Sequence, residues 1–252
     1  MNIPVFQDDQ HGTAVVVVVA LINALKLVNK RVEDIKLVMT GIGAARTACA
    51  KMIAQLGVKN IIGCDIEGAV VPGEKYDHSG KQWFSENTNP NCERGSVHDV
   101  IKGADVFLGV SAPNVIDSTD VQVMDKNPTV FAIANPDPEI MPEKAEPFAK
   151  MVATGRSDYP NQINTVLCFP GLLKGSFSCL ARTINDDMKL AASKAIAASV
   201  PEEFLQVDYI IPTIFDSSVT QNVARSVRDA AIASGVARRE LVVEMNQDPR
   251  DE

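Results

Sequence analysis

Two adjacent carboxylates, Asp8 and Asp9, stand where a short apolar run hands over to a long apolar segment beginning near Thr13. Hard divalent cations take carboxylate oxygens, so the pair suggests a metal ion. Downstream, Val38-Met39-Thr40 leads into Gly41-Ile42-Gly43-Ala44-Ala45-Arg46. This keeps the first two glycines of a dinucleotide turn: Gly41 permits a tight turn, and Gly43 lets backbone approach a pyrophosphate at a helix N-terminus. The third small residue is replaced by Arg46, which either points to solvent or reaches a phosphate. Asp65 lies near the position, about 20 residues on, of the acid that binds a ribose 2′-hydroxyl. A carboxylate there repels a 2′-phosphate and favours NAD over NADP; Glu67 leans the same way. Together these residues point to metal-assisted chemistry on a small acid.

Other candidates sit where ligands meet open α/β sheets, outside the carboxyl ends of the strands. They are Ser111 and Ala112, before Pro113-Asn114, and Asn135 in Ala134-Asn135-Pro136. An asparagine both donates and accepts, which suits a carboxylate, a carboxamide or a hydroxyl. Arg156 and Asn161 to Asn164 form a further polar cluster. His11, His78 and His98 are isolated and read as structural. No G-x-S-x-G, CxxC or H-E-x-x-H occurs, so nothing supports a serine hydrolase or a zinc enzyme.

These residues need elements to hold them. The pattern predicts a helix over 13–29, started at Gly12-Thr13 with Thr13 as cap, and a buried strand over 34–40. The glycine turn and a helix over 46–56 follow, closed by Gly57, then a strand over 58–64. That is a βαβ unit. Residues 66–97 read as a long polar connection holding at most one helix. Strands are predicted at 106–110, 129–134 and 151–154, with a helix at 97–102. Helices fill the remainder, from 176 onward and at 186–198, 201–206 and 217–234. The expected fold is a doubly wound parallel α/β sheet with additional C-terminal helices. One domain is expected over 1–240, with a charged, frayed tail over 241–252.

A net charge of −8 and an aromatic content of 5% argue against a nucleic-acid partner. Five scattered cysteines with no zinc spacing read as reduced and structural. No signal peptide is evident, and the apolar run 14–27 is too short to span a bilayer. A cytoplasmic protein with no membrane partner is expected.

Ile3 to Ala14, with its Asp-Asp-x-x-Gly-Thr core, resembles the signature of malic enzymes in their bacterial form. Gly109 to Pro113, Phe131 to Pro136, Gly155 to Gln162 and Phe169-Pro170-Gly171 resemble later blocks of that family, in the same order. The resemblance implies a Rossmann-type NAD(P)-binding domain. It also implies oxidative decarboxylation of malate to pyruvate and CO2, with NAD (NADP as alternative) and Mg2+ or Mn2+. It makes Asp9 a metal ligand and places Asp8 beside the catalytic lysine. Gly41 to Ala45, Asp65, Ser111, Ala112 and Asn135 then bind cofactor, and Asn135 and Asn164 contact substrate. Where the family usually has Asn-Asn, this chain has Asn164-Thr165. The family's N-terminal catalytic domain, with its tyrosine, lysine and other metal ligands, is absent from this sequence. The chain is therefore expected to be the cofactor-binding part of a longer protein, inactive alone, and a homodimer. The competing readings are another small-acid dehydrogenase, which would not need Asp8-Asp9, and a nucleotide-binding module without catalysis.

Overall fold

A computed structural model describes residues 4–239; the expected tail over 241–252 lies outside them. Parallel strands buried on both faces read as near-continuous apolar runs, and five segments here do so. These are β1 (Lys36–Thr40), β2 (Asn60–Asp65), β4 (Val106–Gly109), β5 (Thr129–Ala132) and β6 (Met151–Thr154). A two-residue β3 (Gly68–Ala69) pairs antiparallel to β2 within the stretch expected to be a plain connection. The sheet order is β3-β2-β1-β4-β5-β6. The chain steps from β1 to β2 on one side and returns to β4 on the other, so the switch point falls between β1 and β4. Alternation sorts β1 between two cores. Leu37 and Met39 face the larger one, Val38 the smaller.

The helices are α1 (Thr13–Val28), α2 (Ala44–Leu56), α3 (Ser79–Asn87), α4 (Val97–Val100), α5 (Ser118–Gln122), α6 (Pro142–Ala145), α7 (Phe169–Ser178), α8 (Asp186–Ala198) and α9 (Ser217–Ala233). Val15 to Val19 are fully buried in α1. Valine is a poor helix former, but each buried side chain contributes roughly 1.5–3 kcal/mol, so burial overrides propensity. Helix 8–28 is long and apolar enough to cross a membrane by composition; here it is the core helix. Asn23 within it is buried and donates to the carbonyls of Ala197 (3.1 Å) and Ile210 (2.9 Å), pinning α1 to α8 and to the stretch that leads into α9.

Several boundaries differ from expectation. The first helix begins five residues earlier, as a π-turn over Asp8–Gly12, so Thr13 is an interior residue and caps nothing. α2 starts at Ala44, directly on the glycine turn, because Gly43 is its N-cap. α7 starts at Phe169, where Pro170 suits a first helical turn. Residues 201–206 hold only a 3₁₀ turn over Glu202–Phe204.

Cys49, Cys64, Cys168 and Cys179 are buried and Cys92 is exposed. Burial pushes the thiols of Cys49 and Cys64 up to about 12. Since the thiolate is the nucleophile, a thiol reagent at pH 8 is expected to modify Cys92 alone in the native chain. Mass spectrometry of labelled peptides checks this. Fast labelling of Cys49 would mean that α2 does not pack as described.

Candidate functional site

The crevice at the switch point has two lips. The first is the glycine turn, where Gly41 takes φ +94° and donates its N–H to the Cys64 carbonyl at 2.8 Å. Ile42 is buried, Ala44 is exposed, and no side chain caps α2. The N–H groups of its first turn therefore face the crevice without a built-in partner. Arg46 does not point to solvent. It folds back across the turn, and its Nε donates to the Val110 carbonyl on the opposite lip.

The second lip follows β4. Ser111 shares a hydrogen bond with Thr40 across the crevice, Oγ to Oγ1 at 2.9 Å. Its backbone N–H donates to Glu139 Oε1 at 2.5 Å, and the Ala134 N–H donates to Glu139 Oε2 at 3.1 Å. Glu139 is fully buried. It ties the loop after β4 to the loop after β5, and so holds Ser111, Ala112 and Asn135 as one rim. Ala112 and Asn135 are exposed there. Sequence reasoning missed Glu139; its one signal is a carboxylate among turn formers, directly before the buried Ile140.

At the end of β2, Asp65 accepts the Glu67 N–H at 2.8 Å and ion-pairs with Lys81. The hydrogen bonds that the Lys81 ammonium donates to Asp65 and Glu67 hold its pKa well above the usual lysine range. Asp65 therefore does not present a bare carboxylate, as its position alone suggested. One of its oxygens is shared with a cation from α3.

Asp8 and Thr165 meet across the start of α1: the threonine hydroxyl donates to Asp8 Oδ2 at 2.7 Å. Asp8 Oδ1 is buried without a hydrogen-bond partner, an arrangement that costs free energy unless something supplies a donor or a cation. Asp9 is exposed beside it. Asn164 spends its side-chain oxygen on the Val166 N–H at 3.1 Å, as a cap of the following turn. Its amide nitrogen remains to meet a ligand. Asn161, in the same cluster, is structural: buried, it bonds Val152, Val207 and Ile210.

The histidines are structural in their contacts. The His78 Nδ1 accepts from the first N–H groups of α3, and the His98 Nδ1 lies 2.9 Å from Asp120. His11 packs against Phe6, and burial, then Lys189, lowers its pKa. Among the described residues no three His, Cys, Asp or Glu side chains cluster to hold a metal ion. A hard-cation site needs six or more oxygens, and Asp8 and Asp9 by themselves supply too few to make one.

A doubly wound sheet with a glycine turn at its switch point and an acid ending the next strand defines a dinucleotide-binding domain. The family profile described as the NAD binding domain of malic enzyme matches residues 10–232, and the chain belongs to that family. It is 55% identical over 242 residues to the NAD-dependent malic enzyme of Geobacillus stearothermophilus, covering 96% of this chain and 51% of that one. An NADP-dependent malic enzyme of Haemophilus influenzae is 42% identical, with 96% of this chain and 34% of that protein covered. The crystal structure of an NAD-dependent malic enzyme from Thermotoga maritima matches with TM-score 0.85 and 43% identity. That match covers 90% of this chain and 60% of that one. The chain spans about half the length of the first of these relatives.

Proposed function

We propose that this chain is the cofactor-binding part of an enzyme that oxidatively decarboxylates malate to pyruvate and CO2. The observation that carries the reading is the Asp8-Asp9 pair, with an unpartnered buried Asp8 oxygen, held by Thr165 next to Asn164 in a malic-enzyme NAD-binding domain. A glycine turn at the switch point of the sheet suits a dinucleotide. Backbone N–H groups of the Gly41–Ala45 turn take the pyrophosphate, Asp65 accepts from ribose hydroxyls, and the Ser111, Ala112 and Asn135 rim orients the nicotinamide half. NAD bound there supplies a hydride acceptor for C2 of malate. Asn135 and Asn164 hold the malate carboxylate and hydroxyl in register. Asp9 offers a ligand to Mg2+ or Mn2+, but the carboxylates present do not complete that site. The remaining ligands, and the acid and base that move protons, belong to the rest of the whole enzyme, a homodimer in this reading. The isolated chain turns nothing over.

NAD is the preferred cofactor in this reading, because Asp65 and Glu67 meet the ribose with two carboxylates against the single Lys81 ammonium. The test is a malate-dependent rate of NAD or NADP reduction by the whole enzyme with Mn2+. Turnover with NAD is expected to exceed that with NADP. Asp9→Ala should lower the rate by more than the roughly ten- to hundredfold cost of losing a residue that only supports a metal ligand. No turnover with either cofactor overturns the reaction. Turnover of the Asp9→Ala variant at the full rate overturns the metal role alone.

A further inference from the structure

We propose that Arg46 is a strap over the dinucleotide crevice: it closes the crevice by bonding to the Val110 carbonyl and swings onto the pyrophosphate when a dinucleotide enters. The inference rests on the reading that the pyrophosphate lies on the Gly41–Ala45 turn. Three observations carry it. The guanidinium bridges the two lips, from the first turn of α2 to the end of β4. It also lies directly on the surface the glycines leave open. A Cβ placed on Gly41 would stand 2.6 Å from Arg46 Nε, and one on Gly43 2.7 Å from its Nη1. The absence of side chains at those two positions is what lets backbone approach a pyrophosphate. The guanidinium as placed and a bound pyrophosphate would claim the same space, so one must yield. Finally, the half-buried Arg46 meets a neutral carbonyl and forms no ion pair among the described residues.

An arginine fork pairs far better with phosphate oxygens than with one carbonyl, through two parallel charge-assisted bonds. The side chain thus has two discrete positions, and a dinucleotide biases the choice by its differential contacts. Closing costs entry rate; pairing afterwards slows release. The two effects oppose each other in affinity and add in kinetics, which gives a signature that a merely structural arginine would not show.

The test uses the whole chain. In the wild-type protein, the Arg46 Nε–H is expected to give a slowly exchanging proton resonance, assigned by its loss in Arg46→Gln, that shifts on adding NAD. In stopped-flow mixing, the wild-type association rate should rise with NAD at a slope lowered by the share of time the strap is closed, since a side-chain swing is fast against binding. Arg46→Gln should bind at the full slope. Both its association and its release should be faster by on the order of tenfold, the scale of one charged hydrogen bond, so its Kd changes little. Adenosine, which lacks phosphates, should bind both proteins alike. Identical NAD rates in the two proteins, a change in release alone, or an equal change for adenosine would each overturn the strap. NAD binding with unchanged rates leaves the pyrophosphate reading standing. No NAD binding by either protein overturns both together.

Discussion

Glu139→Ala is expected to destabilise the chain by about 2–4 kcal/mol, because it removes a buried carboxylate and leaves the N–H groups it accepts without partners. The carboxylate is fully buried and takes three donors: the Ser111 N–H, the Ser111 hydroxyl and the Ala134 N–H. The loops it joins carry Ser111, Ala112 and Asn135. Their loosening should weaken dinucleotide binding more than the loss of any one of those side chains. Glu139→Gln separates shape from chemistry. The amide keeps one oxygen for Ser111 but turns an N–H2 toward the Ala134 N–H, donor against donor. Its cost should fall near half that of alanine, about 1–2 kcal/mol. Urea unfolding with an unchanged slope, read as a shift in midpoint, measures both. An alanine variant within about 0.5 kcal/mol of wild type, the scatter of ordinary surface substitutions, would show that Glu139 does not hold the rim together.

The contrast between Glu139 and the glycine turn shows what a single sequence discloses. Gly41 and Gly43 are local: a strand, two glycines and a helix state their purpose within a dozen residues. The parallel sheet follows from apolar runs at β1, β2, β4, β5 and β6, because period and composition are also local. Glu139 acts on Ser111 and Ala134 through the tertiary fold, and nothing near it in sequence marks its partners. Lys81 is the same case. It changes what Asp65 presents, but α3 had to be placed before the pair could be seen. Arg46 was visible as a departure, yet its direction was not, since that depends on the Val110 carbonyl across the crevice. The early start of the first helix was missed for a different reason. The π-turn over Asp8–Gly12 places Asp8 against Thr165, a long-range contact that overrides the weak helical preference of Asp, His and Gly.

Gly41→Ala and Gly43→Ala are expected to fail in different ways. Gly41 takes φ +94°, which an L side chain rarely adopts, and its added Cβ would meet the Val110 carbonyl oxygen at 2.8 Å as well as Arg46. The Val110 N–H is tied to the Thr40 carbonyl at 3.3 Å, so this carbonyl is less able to withdraw than a side chain is. The substitution should therefore cost about 1–3 kcal/mol of stability through the strained backbone and also abolish NAD binding. Gly43 has φ −84°, an ordinary value for alanine. Its Cβ would meet only the Arg46 side chain, which is free to rotate. Gly43→Ala should fold within about 0.5 kcal/mol of wild type, as substitutions without a structural conflict do. Its methyl would still stand between the backbone and the pyrophosphate, so NAD binding should be lost there too. Adding Arg46→Ala to Gly41→Ala should not rescue it, because the φ strain and the Val110 contact both remain. Thermal melts paired with calorimetric titration separate the cases. Equal losses of Tm in the two single variants would remove the distinction, and NAD binding by Gly41→Ala at wild-type strength would place the pyrophosphate somewhere other than this turn.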